Sequence, residues 1–256
     1  MPIARHQAML IYYAHVPKCA GTAIEEYLQQ RFGDLAFMDR RHFKRPYEPV
    51  WTATSPQHVS LKALSRLFPA DFFDHSFTVV RHPVARIVSA YHFHRDVEGT
   101  VPTTVGLSEW LSALPEELEE RPFAHDNHLR PMVEMVPDEA KVFHLEHGID
   151  AIVPWLDAIC GSEDGPRSIK QVNPGKAKKW RNGRRLDPEI PTETDRRVIA
   201  EVYAEDFKRF GYSLESDRPV HAGAATRARS YRPKGRSGVA GAMGRLQSRL
   251  TRLLRT

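Results

Sequence analysis

The apolar residues of the chain alternate between short continuous runs and stripes at helical spacing. Residues 9–14 form an apolar, aromatic-rich run that predicts a buried strand, and residues 22–32 then repeat apolar side chains every three to four positions, as a helix does. The same succession recurs as a second strand at residues 77–80 and a second helix at residues 83–91. Strand, turn and helix in series predict an α/β fold of three layers, with a central parallel sheet flanked by helices.

Weaker patterns predict elements at residues 61–68 (helix), after Ser108 as a helix cap, at residues 141–146 (strand) and at residues 150–159 (helix). The last strong signal starts at Thr192, where an acid three residues on fits a capping box. It continues as one apolar stripe to a stop at Gly211. We therefore expect a single long helix over residues 192–211, packed in the core.

The turn between the first strand and its helix reads HVPKCAGT, residues 15–22. The first amides of a helix have no partner within it and attract an anion, and Gly21 permits close backbone approach and unusual dihedral angles. Lys18 adds a full charge and Thr22 a hydroxyl donor. The spacing differs from the nucleotide-triphosphate loop, because the lysine precedes the only glycine. The turn predicts an anion site; an ordinary turn with a surface lysine is the alternative.

The second strand ends at Arg81, where open α/β sheets place their ligands, and Pro83 suits the first turn of the following helix. A guanidinium group offers a fork of donors to a phosphate, and Ser89 on the helix could complete the site. The alternative is that Arg81 pairs with a carboxylate and Ser89 is merely exposed. We expect Arg86, on the same helix, to be solvated.

Together the two turns resemble those of sulfotransferases that use 3′-phosphoadenosine 5′-phosphosulfate (PAPS). The similarity is to the carbohydrate branch, which includes heparan sulfate 2-O-sulfotransferases and bacterial relatives, and it covers about residues 8–214. The resemblance implies a P-loop-like fold and PAPS as cofactor. It assigns the 5′-phosphosulfate to Lys18, Cys19, Ala20, Gly21, Thr22 and Ala23, and the 3′-phosphate to Arg81 and Ser89.

The implied reaction is in-line transfer of a sulfuryl group to a hydroxyl, helped by positioning and by charge neutralisation from Lys18. A hydroxyl acceptor needs a base, and His58 is the candidate because imidazole titrates near physiological pH. The 2-O-sulfotransferases have His-Gly-His at the matching place, whereas this chain has Pro56-Gln57-His58. The acceptor and the exact base therefore stay open, and a structural or surface histidine is the alternative for His58.

The resemblance places acceptor-binding segments between residues 90 and 130, which makes His128 and Arg130 candidate acceptor contacts. A structural salt bridge is the alternative for Arg130. In a basic segment, Lys176 is a candidate for the 3′-phosphate and Trp180 for stacking on adenine; a solvated loop is the alternative. His82, next to Arg81, could also touch the nucleotide.

His125 and His128 flank Asp126, and residues of these types commonly bind metal ions. No third ligand follows at a recognisable spacing, and the resembling family needs no metal, so we predict none. Cys19 and Cys160 give no disulfide framework. A catalytic thiol at Cys19 is a rival hypothesis, although the backbone of that residue matters more in an anion-binding turn.

Charge divides the chain into two parts. The formal net charge of +5 combines −5 in residues 1–217, with 27 Lys and Arg against 32 Asp and Glu, and +10 in residues 218–256, which hold no acid. We predict a catalytic domain over residues 1–215 and a basic, largely disordered tail over 216–256 with a short amphipathic helix near residues 243–254. That helix could contact an anionic membrane, an acidic polysaccharide or a partner; a solvated tail without a role is the alternative.

No long apolar stretch indicates a signal peptide or membrane span, so we expect a bacterial cytoplasmic enzyme, with peripheral contact at the inner membrane face as an option. The predicted function is sulfuryl transfer to a carbohydrate or glycolipid, without specific nucleic-acid binding. Two rivals remain. One is a nucleotide-dependent phosphotransferase on a related fold; the other is a non-enzymatic membrane or nucleic-acid interaction protein that acts through the tail.

Overall fold

The computed structural model describes residues 1–42, 52–170 and 188–219, which build one sheet with helices around it. The strands are β1 (Ile3–His6), β2 (Met9–Ala14), β3 (His75–Val80) and β4 (Lys141–His144). The α-helices are α1 (Gly21–Phe32), α2 (Leu61–Leu67), α3 (Pro83–Phe93), α4 (Leu107–Ser112), α5 (Leu114–Glu120), α6 (Ile152–Cys160), α7 (Glu193–Val202) and α8 (Ala204–Phe210).

The sheet has the order β1-β2-β3-β4 and is mostly parallel. β2 pairs in parallel with β3, and β3 in parallel with β4, so the carboxyl ends of all three strands lie at one edge. β1 is antiparallel to β2, which adds one edge strand that the sequence pattern did not reveal. The predicted α/β fold, a helix-flanked and mainly parallel sheet of P-loop-like type, is confirmed.

Side chains on the two faces of β2 pack into different hydrophobic clusters, because successive side chains of a strand point to opposite sides. Tyr13 is fully buried with Phe77 and Tyr27, in the core that α1 and α6 complete. Tyr12 instead packs with Leu64 of α2. Aromatic stacking of Tyr13 on Phe77, with ring centroids 5.0 Å apart, joins the two strands that precede the predicted anion sites.

The predicted helix over residues 192–211 is wrong as a single element, because α7 and α8 are separate. Tyr203 between them leaves helical geometry, at φ −109° and ψ 28°, and its buried hydroxyl donates to the Leu129 carbonyl at 2.5 Å. The capping box of Thr192 and Asp195 is confirmed. Ser108 does not cap α4, and its hydroxyl instead donates to Asp195 at 2.9 Å.

Several predictions fall on residues outside the described ranges and stay predictions. These are the nucleotide contacts of Lys176 and Trp180 and the amphipathic helix near residues 243–254. The proposed boundary between residues 215 and 216 lies close to the end of the described part. Within residues 1–42, 52–170 and 188–219, no helix combines the length and apolar character needed to span a membrane.

Candidate active site

The first turn presents an uncapped helix start to solvent. α1 begins at Gly21, and its N-cap residue Ala20 is left-handed at φ 64° with no side-chain cap. Lys18 is left-handed as well, at φ 66°. The amides of Gly21 and Thr22 lie in the first turn of the helix, where no intrahelical acceptor exists, so an anion can take their hydrogen bonds.

Gly21 is required by a neighbouring side chain rather than by its own dihedral angles. A Cβ atom at this position would lie 1.7 Å from Nε2 of His15. The unusual dihedral angles expected at Gly21 occur at Lys18 and Ala20 instead. His15 Nδ1 lies 2.7 Å from Glu25 Oε1, and burial lowers the pKa of His15 below its ordinary value although the nearby carboxylate opposes this. His15 thus fills the space directly under the helix start.

Cys19 does not supply a reactive thiol. Its side chain is fully buried in the main core, and that burial raises its pKa to about 12. A thiol with so high a pKa is protonated at neutral pH and is a poor nucleophile. Cys19 contributes to the turn through its backbone and its packing.

The second turn meets the first in one cleft of about 1490 Å³. Lys18, Arg81 and Ser89 all line this cleft, although they come from the β2–α1 turn, the end of β3 and the middle of α3. Arg81 Nη1 donates to the carbonyl oxygen of Lys18 at 3.4 Å. Lys18 Nζ lies 3.9 Å from the ring centroid of Phe93. The two predicted anion sites are therefore parts of one continuous cavity.

His58 lines the same cleft and is held by Asp126. The His58 Nδ1 to Asp126 Oδ2 distance is 2.7 Å. Ser55 donates to both oxygens of that carboxylate, from its amide at 2.6 Å and its hydroxyl at 2.7 Å. Burial raises the pKa of Asp126, but the hydrogen bonds from His58 and Ser55 outweigh it and hold the pKa below its ordinary value. The carboxylate is thus an ionised partner for the imidazole.

The structure brings His58 next to Asp126 and His128, two of the residues that the sequence grouped as metal-binding types. Ligand atoms of His58, Asp126 and His128 lie within 4.8 Å of one another. The sequence could not indicate this proximity because His58 stands nearly seventy positions before the other two residues. His58 Nδ1 and Asp126 already share a hydrogen bond, so the arrangement is that of a hydrogen-bonded His–Asp pair with His128 beside it.

His128 continues the row of imidazoles away from His58. Its ring centroid is 5.1 Å from that of His58, and its Nδ1 lies 2.9 Å from His94 Nε2. Burial lowers the pKa of His128 well below its ordinary value, and burial followed by the charge of His125 lowers that of His94 to about 3. Both rings are neutral at physiological pH. His128 lines the cleft, as its predicted acceptor contact requires.

The prediction that the Arg86 side chain is solvated is wrong. It is fully buried, and its guanidinium donates to the carbonyls of His128 at 3.0 Å and Arg130 at 2.9 Å. A buried guanidinium is stable only with such acceptors. Arg86 therefore anchors α3 to the segment that carries His128.

Two other candidate residues, Arg130 and His82, are not among the described residues that line the cleft. Arg130 donates to Asn127 Oδ1 at 2.9 Å, to the Pro122 carbonyl at 2.6 Å and to Glu134, and it is not among the described residues that line the cleft. The structural alternative for Arg130 is thus the arrangement observed. His82 is buried, with Nε2 2.9 Å from the Ser213 carbonyl, so the predicted nucleotide contact does not fit it.

The fold and the cleft define a class of α/β proteins with a cavity at the carboxyl ends of neighbouring parallel strands, lined by a lysine, an arginine and a histidine. Comparison with known proteins narrows that class. A family model described as the sulfotransferase family matches residues 3–213, and the chain therefore belongs to the sulfotransferase family. An uncharacterized protein of Archaeoglobus fulgidus is 24% identical over 228 residues, which is 78% of this chain and 88% of the relative. No solved structure matches the chain significantly.

Proposed function

We propose that the chain transfers the sulfuryl group of PAPS to a hydroxyl of a carbohydrate or glycolipid. The observation that carries the proposal is the shared cleft of Lys18, Arg81 and His58. One cavity contains two separate candidate anion sites, at Lys18 and at Arg81. It also contains His58, whose Nδ1 contacts a carboxylate. A nucleotide with phosphates at two places fits such a site better than a ligand with one anionic group.

The phosphate contacts follow from the two turns. The amides of Gly21 and Thr22 would bind the 5′-phosphosulfate at the uncapped start of α1, and Lys18 Nζ would neutralise charge on the leaving oxygen. Arg81, with the Ser89 hydroxyl, would bind the 3′-phosphate. Cys19 and Ala23 are buried or nearly so, and they contribute backbone shape rather than side-chain contacts.

PAPS, when bound, supplies a sulfuryl group and a stable nucleotide leaving group. His58 would take the proton from the acceptor hydroxyl with Nε2, since its Nδ1 faces Asp126. His128, neutral and next to His58, would contact the acceptor without adding charge. The roles of Lys18 and His58 require no metal ion in this scheme, so activity is expected in the presence of a chelator.

The finer features of the proposal extend the family resemblance. We place the chain near the carbohydrate sulfotransferases of the heparan sulfate 2-O type, as a bacterial and cytoplasmic enzyme. The basic tail would add a peripheral contact with an anionic membrane. That branch has two histidines where this chain has only His58, in Pro56-Gln57-His58. The hydrogen bond between His58 and Asp126 supports His58 as the base.

Calorimetric titration with adenosine 3′,5′-bisphosphate tests the nucleotide part of the proposal. We expect saturable binding at one site, unchanged by EDTA, and much weaker binding of adenosine 5′-monophosphate. Transfer of labelled sulfate from PAPS to a panel of saccharides and glycolipids then tests the acceptor class. Equal affinity for both nucleotides, or no binding of either, would contradict the assignment of the two anion sites.

A further inference from the structure

The Asp126 carboxylate is surrounded by donors on both oxygens. Oδ1 accepts from the Ser55 amide at 2.6 Å, and Oδ2 accepts from the Ser55 hydroxyl at 2.7 Å. The third neighbour is His58 Nδ1, 2.7 Å from Oδ2. An ionised carboxylate can only accept hydrogen bonds, so His58 Nδ1 must carry a proton in this contact. In the neutral imidazole, Nε2 then has the free lone pair.

The backbone that presents Asp126 is unusual. His125, Asp126 and Asn127 are all left-handed, with φ values of 52°, 55° and 60°. Non-glycine residues in this region are disfavoured and persist where the surrounding structure imposes them, often at functional sites. Three such residues in succession indicate that the position of the Asp126 side chain is strongly determined.

Hydrogen bonds tie this run to the segment that carries His58. Asn127 Nδ2 donates to the His58 carbonyl at 2.6 Å, and Arg130 Nε donates to Asn127 Oδ1 at 2.9 Å. The His58 ring also packs edge-on between two imidazoles, with centroids 4.7 Å away at His15 and 5.1 Å away at His128. Both the backbone and the ring of His58 are therefore fixed relative to Asp126.

We propose that Asp126 is a positioning residue for sulfuryl transfer, which fixes the tautomer and the direction of His58 so that Nε2 can accept the proton of the acceptor hydroxyl. The inference rests on the proposed function for the identity of the reaction, but not for the tautomer itself. It resembles the general logic by which a buried aspartate holds a catalytic histidine in one tautomer. Ser55 acts on the carboxylate and Asn127 on the backbone of His58.

Asp126→Asn is the informative variant because it changes the donor pattern and keeps the shape. The Ser55 amide can only donate, so it retains the side-chain oxygen of the asparagine. The NH₂ group then faces both Ser55 Oγ and His58 Nδ1, which lie 3.2 Å apart. Because it donates to Nδ1, we expect Nδ1 to accept and the ring proton to move to Nε2. The variant is therefore expected to reverse the tautomer of His58 and to remove the lone pair from Nε2.

Long-range ¹H–¹⁵N spectra of the histidine rings measure this directly, at about pH 8, above the ordinary imidazole pKa. The His58→Gln variant identifies the His58 signals. We expect the Nδ1–H tautomer in the unaltered protein and in Ser55→Ala, which keeps the His58–Asp126 contact, and the Nε2–H tautomer in Asp126→Asn.

We expect kcat of Asp126→Asn to fall by about 10²- to 10⁴-fold. Affinity for adenosine 3′,5′-bisphosphate should stay within about twofold, because Asp126 has no contact with either anion-binding turn in this arrangement. Asp138→Asn, at an exposed carboxylate, is the matched control and should change neither quantity.

Three results would overturn the proposal: an Nε2–H tautomer of His58 in the unaltered protein, an unreversed tautomer in Asp126→Asn, or a reversed tautomer with unchanged kcat. The first is measured on the unaltered protein and needs only the His58→Gln spectrum for assignment, so an Asp126→Asn variant that fails to fold leaves the proposal testable. Failure of the proposed function looks different: the unaltered protein would bind no adenosine 3′,5′-bisphosphate and transfer no sulfate, whatever the tautomer of His58.

Discussion

Arg81 contacts the backbone of Lys18: Nη1 of the arginine donates to the lysine carbonyl oxygen at 3.4 Å. The contact joins the end of β3 to the turn after β2, two parallel strands that are neighbours in the sheet. Because both side chains line one cleft, a single ligand can contact both turns. Arg81 thus has a structural contact with the first turn as well as a proposed contact with phosphate.

Arg81→Ala should weaken binding of adenosine 3′,5′-bisphosphate by about 10- to 100-fold, the usual range for a lost charge-assisted hydrogen bond to an anion. Binding of adenosine 5′-monophosphate should change much less, because that nucleotide lacks the 3′-phosphate. Paired calorimetric titrations measure both. Equal losses for the two nucleotides would place Arg81 outside a 3′-phosphate site.

Lys18→Ala should lower kcat for sulfate transfer by about 10²- to 10³-fold, as removal of one group that stabilises developing negative charge commonly does. The affinity for the bisphosphate product should fall less than kcat does. Single-turnover measurements with labelled PAPS separate the two effects. Lys208→Ala, at an exposed lysine of α8, is the control, and similar turnover in both variants would exclude Lys18 from the reaction.

Gly21→Ala should destabilise the protein by about 1–3 kcal/mol, since a Cβ atom there would overlap His15 Nε2 and overpacking has costs of this order. The effect should shrink when His15→Ala is added, so that the double variant is more stable than the two single changes predict. Urea unfolding of all three proteins gives this coupling. Gly106→Ala is the control, because its Cβ would meet only Glu189 Oε2 at 3.5 Å. Additive effects at Gly21 and His15 would show that the contact is relaxed without strain.

Asp195→Ala should lower the free energy of unfolding at neutral pH by about 1–2 kcal/mol, because the capping box of α7 loses the N3 carboxylate that accepts hydrogen bonds from Thr192. Burial raises the pKa of Asp195, but hydrogen bonds from Thr192 and Ser108 outweigh it and place the pKa below the ordinary value. A carboxylate of this kind stabilises the fold above its unfolded pKa, near 3.9, and loses that contribution as pH falls through the lower folded pKa. The gap between variant and unaltered protein should therefore narrow below about pH 4 in urea unfolding experiments. A gap that is independent of pH would mean that the capping charge contributes nothing.

Local patterns were sufficient to predict β2, α1, β3 and α3, because each buries an uninterrupted apolar run or stripe. They also indicated the two turns as candidate anion sites, since the groups of each turn lie next to the elements that position them. β1 was missed because its four residues end in Arg5 and His6, which hide a short edge strand. The break at Tyr203 coincides with a hydrogen bond from its hydroxyl to Leu129, a contact between distant parts of the chain that no local pattern contains.

Single residues of the site could be predicted from the two turns and the family resemblance, but contacts between distant segments could not. The partnership of His58 and Asp126 joins segments 68 positions apart, so neither spacing nor periodicity indicated it. Arg86 shows the same limit in reverse. Its charge favoured a solvated position in the sequence, and only the folded chain brings two carbonyl acceptors to it.

The burial of Arg86 has a consequence for the kinetics of the enzyme. On α3, Ser89 lines the cleft and Arg86, three residues earlier, is buried in the interior. Arg86 donates hydrogen bonds to the carbonyls of residues 128 and 130. Under the proposed function, α3 would contact the nucleotide and the segment that carries His128 would contact the acceptor, so Arg86 links the two binding regions. We therefore expect substrate addition in a compulsory order, with the nucleotide first.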